Sequence, residues 1–224
     1  MDSDSSAPTT RARFQWAVVL VGAVVVVLLG LMVRHTTGPT AWEEPIVSTA
    51  RRFPIPFRDY LIALFEPVPF AFASIALAFG AAARGRARLA IPGLGGCLAA
   101  VIATELVLKP LFDRTRLVPV GWRHRLIIAG GPMFPSAHVT AAAAFATFAW
   151  MIVDKRSRLE PFIVALPLIV GWAVMSRDMH FPADILAGLI VGPTFVYCTV
   201  IATRATSRRF DAVVAEREPV GSSY

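Results

Sequence analysis

The feature that most constrains this chain is the distribution of its charges: six stretches carry none, namely residues 14–33, 67–83, 89–104, 139–153, 161–176 and 185–203. A helix needs about 20 apolar residues to cross a hydrocarbon core of roughly 30 Å, and the shorter stretches reach that length with a turn of flanking residues. With 56% hydrophobic and 17% charged residues, the chain is too apolar for an ordinary soluble domain of its 224-residue length. The expected fold is therefore all-α, an integral membrane bundle of six transmembrane helices. Residues 1–13 are expected to be a disordered cytoplasmic tail, 14–203 the six-span unit and 204–224 a second cytoplasmic tail. Arg11 and Arg13 precede the first span as in a signal peptide. That span is of full crossing length and lacks a clear small-x-small cleavage site, so it is read as retained.

The net charge of +7 comes from 20 Arg and only 2 Lys, spread through short loops rather than gathered into one stripe. Such scatter argues against a nucleic-acid partner. Cys97 and Cys198 fall inside apolar stretches and are expected to pack as small hydrophobes, with no metal site. If each span crosses once, 12 of the Lys and Arg residues flank the side that holds both termini. Six of the remaining 10, Lys109, Arg114, Arg116, Arg123, Arg125 and Arg177, lie in the third and fifth loops. The bias places the termini in the cytoplasm and those two loops outside a multi-pass cell-membrane protein. Residues 34–59, mixed in charge and rich in proline, are expected at the membrane surface. Glu66, Pro67 and Pro69 predict a kinked start to the second span.

Three polar clusters fall on the same predicted side: residues 109–116 (KPLFDRTR), 135–138 (PSAH) and 176–184 (SRDMHFPAD). Ionisable groups at a bilayer boundary are costly, so their clustering is informative. Ser136 reads as the N-cap of an Ala-rich helix with Ala137 and His138 in its first turn, where free amides favour an anion. Pro182 suits the first position of the last helix, which puts His180 just before it and Asp184 in its first turn. A carboxylate so placed can reach back to the imidazole and fix its tautomer. Two helix starts, one Lys, several Arg and two His on one face suit a doubly charged phosphate. Singly, each signal also fits a structural residue. Arg114, Arg123 and Arg125 are expected to be solvated or to touch lipid headgroups. Glu105, four residues before Lys109, is expected to pair with it. Gly93, Gly95 and Gly96 are expected to serve helix packing rather than a phosphate loop.

Together these residues resemble the type 2 phosphatidic acid phosphatase superfamily, whose signature is Lys-x6-Arg-Pro, Pro-Ser-Gly-His and Ser-Arg-x5-His-x3-Asp. Lys109 and Arg116 keep the first spacing, with Leu117 for proline; Pro135, Ser136 and His138 keep the second, with Ala137 for glycine; His180 and Asp184 keep the end of the third. The departure is Arg177, separated from His180 by Asp178 and Met179 alone, whereas the family interval falls on Val174. Either Arg177 still reaches the phosphate across a shortened link, or Arg123 or Arg125 takes its place. The first is preferred, because a guanidinium tolerates a backbone shift better than an imidazole.

The resemblance implies metal-independent, cofactor-free hydrolysis of a phosphomonoester or diphosphate through a phosphohistidine. His180 would attack, Asp184 would orient it and His138 would protonate the leaving oxygen. Lys109, Arg116, Ser136, Ala137 and Arg177 would hold the phosphate. The implied partner is a lipid phosphate in the outer leaflet: polyprenyl diphosphate, phosphatidate or phosphatidylglycerol phosphate. A phosphotransferase of the same fold and an inactive lipid-phosphate binder are the alternatives. A transporter is weaker, for no broken helices recur in matching halves.

Overall fold

The computed structural model describes residues 10–115, 132–153 and 157–217. It is helical throughout, with a lone bridge between Thr37 and Thr115 and no strand among the described residues. The helices are α1 (Thr10–Val33), α2 (Glu44–Arg52), α3 (Arg58–Leu64), α4 (Pro67–Ala83), α5 (Ala87–Ala103), α6 (Lys109–Phe112), α7 (Ala137–Ile152), α8 (Glu160–Met175) and α9 (Pro182–Arg217), with a π-helical turn over Thr104–Leu108. Two ends differ from expectation: helix begins at Thr10, inside the predicted tail, and α9 runs on to Arg217, past the predicted last span.

Among the described residues, three segments are long and apolar enough to cross a membrane: Trp16–Val33, Ala87–Phe112 and Pro182–Thr203. A fourth arises if α3 and α4, bent by 70° at their junction, count as one span. The bend has a local cause, since proline disfavours helical backbone in the residue before it and Glu66 is extended ahead of Pro67. Helices α7 and α8, at 16 residues each, are shorter. Large apolar side chains such as Leu20, Phe72, Phe79, Ile91, Ile102 and Phe162 are exposed on the outside of the bundle.

Helix α9 is the central strut, packed against α7, α5 and α1. Small residues allow the approach. A Cβ on Gly192 would stand 2.5 Å from the Thr140 carbonyl oxygen and 2.7 Å from the Ala144 nitrogen, and one on Gly188 3.0 Å from the Ser136 carbonyl oxygen. Gly93 and Gly96 of α5 likewise abut Phe148 and α9, whereas Gly95 faces open space. Gly192→Ala would gain about 1 kcal/mol of helix propensity against an overpacking cost of about 1–3 kcal/mol. Because its clash is with backbone, the cost wins: Gly192→Ala is expected to melt at a lower temperature in detergent, and Gly95→Ala at the same or a higher one. Cys97 is buried and both cysteines are free.

Candidate active site

Helix α7, whose first turn carries His138, and helix α9, which His180 just precedes, start at the same end of the bundle. Ser136 caps α7 with its Oγ accepting from the Val139 amide at 3.4 Å, and its own amide donates to the Asp184 carbonyl oxygen at 3.0 Å. That bond ties the first turn of α7 to the first turn of α9. Pro182 opens α9, so Phe181 is its N-cap and Asp184 its third residue. The carboxylate reaches back as the acidic half of a capping box, Oδ2 accepting from the Phe181 amide at 2.8 Å. The same oxygen stands 3.6 Å from Nδ1 of His180, an ion-pairing distance longer than a formed hydrogen bond. His138, in the first turn of α7, meets His180 edge to face with ring centroids 6.1 Å apart. His180 and Asp184 are buried.

Arg114 overturns its expected place. The helix ending at Phe112 stops because Asp113 adopts a left-handed conformation, φ 43°. The chain turns inward, and Arg114 is fully buried instead of solvated or lipid-facing. Its Nη1 donates to Asp184 Oδ1 at 2.8 Å and to Glu43 Oε1 at 3.1 Å; its Nη2 donates to Glu43 Oε2 at 2.6 Å and to the Gly38 carbonyl oxygen at 2.9 Å. The guanidinium also stands 4.8 Å from the Phe181 ring centre. Burial alone would lower the Arg114 pKa, but the hydrogen bonds and charges of Glu43 and Asp184 outweigh it and raise the pKa above the ordinary arginine value.

Glu43 was not among the residues singled out in the sequence. It too is fully buried, its Oε1 accepting from the Ala183 amide of α9 at 3.0 Å and its Oε2 from the Thr40 amide and hydroxyl at 2.7 and 2.8 Å. The segment of residues 34–59 thus sends one carboxylate into the protein interior. Nothing local could have distinguished Glu43 from its exposed neighbour Glu44.

The remaining predicted residues are distributed as follows. Lys109 pairs with Glu105 at 2.6 Å, as the spacing predicts. Its neighbours Leu108 and Phe112 pack with Phe134 and Ala183, which adjoin the starts of α7 and α9. Ala137 begins α7, where amides of the first turn lack intrahelical acceptors. Arg177 lies on the link from α8 to α9 and is gripped by Asp59, Nε donating to Oδ1 at 2.7 Å and Nη2 to Oδ2. The same link is held by Arg51 on Asp178 at 2.8 Å and by Arg58 on the Ser176 carbonyl oxygen at 3.2 Å. Arg116, Arg123 and Arg125 lie outside the described residues. Among the described residues no three His, Cys, Asp or Glu side chains stand close enough to share a metal ion.

No curated protein and no solved structure matches this chain. The model of one family does, over residues 92–208, a stretch that takes in α7, α8, both histidines and Asp184. That stretch is more than half of the sequence and includes all three polar clusters, so the chain belongs to the PAP2 superfamily.

Proposed function

We propose that this protein is a membrane lipid phosphatase working through a phosphohistidine. The observation that carries the reading is the pair of imidazoles 6.1 Å apart, one backed by a buried carboxylate, at the starts of two helices. With Asp184 at Nδ1, His180 keeps its Nε2 lone pair for attack on phosphorus. As the nitrogen–phosphorus bond forms, the bond from phosphorus to the leaving oxygen breaks, and His138 donates its proton to that oxygen. Neutral His138 then takes a proton from water as the water attacks the phosphohistidine. The nitrogen–phosphorus bond breaks and phosphate leaves, with both histidines restored. Lys109, Arg116, Ser136 and the amides of Ala137 and His138 hold the phosphoryl oxygens, the α7 start lending its dipole. Arg177 joins them by exchanging Asp59 for phosphate.

Membership in the PAP2 superfamily supports a phosphatase, and the exposed apolar belt supports a lipid setting. We read α7 and α8 as short spans completed by flanking turns, which restores the six-span bundle with its site facing outward. The substrate class is a polyprenyl diphosphate, phosphatidate or phosphatidylglycerol phosphate. The test is release of inorganic phosphate from these lipids in detergent, with chelator and without any acceptor. Release under those conditions supports the hydrolase; transfer only when an alcohol acceptor is added would make the protein a phosphotransferase; binding without turnover would make it a binder. One histidine must be neutral and the other charged, so the rate is expected to fall on both sides of an optimum within about pH 5–8. A flat profile across that range would count against the assignment.

A further inference from the structure

Arg114 has the wrong geometry for a phosphate ligand. Both terminal nitrogens are spent on two carboxylates and a carbonyl, and its side chain is sealed from solvent. Its position is instead between the carboxylate behind His180 and a second buried carboxylate, Glu43. Glu43 also takes the Ala183 amide, so it grips α9 one residue before Asp184 as well as through Arg114. Both Glu43 and the Thr40 donors that fix it precede the family-matched stretch, which starts at residue 92.

We infer that Glu43 and Arg114 are positioning residues for the reaction: the buried pair fixes the Asp184 carboxylate against His180 and sets the net charge behind the imidazole at minus one. The inference rests on the phosphohistidine reading above. Among the described residues, the charged and titratable groups around His180 are Asp184 from the first turn of α9, His138 from α7, Arg114 from the segment after α6 and Glu43 from the segment before α2. Arg177 and Asp178 of the adjoining link are turned to Asp59 and Arg51. Arg114 alone would cancel Asp184 and leave the imidazolium without support. Glu43 restores the negative balance while its own charge is matched by the guanidinium.

The decisive variant is Glu43→Gln, nearly isosteric and one negative charge poorer, with Glu43→Asp as the charge-keeping control. In Glu43→Gln the imidazolium form of His180 loses support. The acid limb of the kcat profile is expected to move down by about 0.5–1 pH unit, the size of one screened charge at this range. An accompanying fall in kcat of about 10- to 100-fold is expected, as for groups that brace a reactive histidine, with KM within about two-fold. Glu43→Asp should keep the acid limb in place. NMR titration of histidine-labelled protein in detergent, with the His180 signal assigned through His180→Gln, reads the same shift without turnover. If wild type releases no phosphate while Glu43→Gln still lowers the His180 titration, the phosphatase reading fails and the coupling stands. An unmoved His180 titration in folded Glu43→Gln overturns the inference, as does a rise in KM at constant kcat, which would make Glu43 a substrate contact. Failure of both variants to fold also overturns it, leaving Glu43 a purely structural role.

Discussion

His180→Ala is expected to reduce phosphate release by about 10^4-fold or more, as the loss of a nucleophile does in acyl-transfer triads. The effect should not depend on the leaving group, because without His180 no phosphohistidine forms from any substrate. His138→Ala should behave differently. A positioned general acid contributes about 10^2–10^4-fold, and its contribution shrinks as the leaving group becomes a weaker base. An aryl phosphate whose leaving oxygen needs no proton should therefore recover much of its rate in His138→Ala and none in His180→Ala. The reverse ranking would exchange the two assignments. Full activity of a folded His180→Ala would end the mechanism.

The second large effect concerns stability. Removing the cation from a buried ion pair leaves uncompensated charge in a low-dielectric interior and costs about 3–5 kcal/mol. Arg114→Met would leave two such carboxylates, Glu43 and Asp184, both fully buried. It is expected to be among the least stable single variants of this chain, read as a lower unfolding temperature in detergent. Adding Glu43→Gln to Arg114→Met removes one of the stranded charges, so the double variant should be more stable than additivity allows by about 1–3 kcal/mol. Strict additivity, or an Arg114→Met protein that melts with wild type, would mean that the guanidinium network carries no such energy.

Arg177 shows the same contrast between charge and place. The proposed function has it hold phosphate, yet its guanidinium is matched to Asp59 on α3, with Asp178 beside it matched to Arg51 on α2. The shortened link between α8 and α9 is thereby braced by the helices that precede the family-matched stretch.

Much of this could be read along the chain because its causes are local. Charge-free runs of helical length, Ser136 ahead of an Ala-rich segment, Pro182 at a helix start, and His180 and Asp184 four residues apart are all settled by neighbours in sequence. So is the pairing of Lys109 with Glu105. The long-range arrangement had no such signature. Arg114 and Glu43 are 71 residues apart, Arg177 and Asp59 118, and no periodicity or motif links either pair. The closure of α9 onto α7 at Gly188 and Gly192, and the inward turn at Asp113, bring Arg114 to its carboxylates, and the packing of α3 against α8 brings Asp59 to Arg177. A buried charge is stable only where a partner is delivered to it, and which partner arrives is a property of the folded bundle.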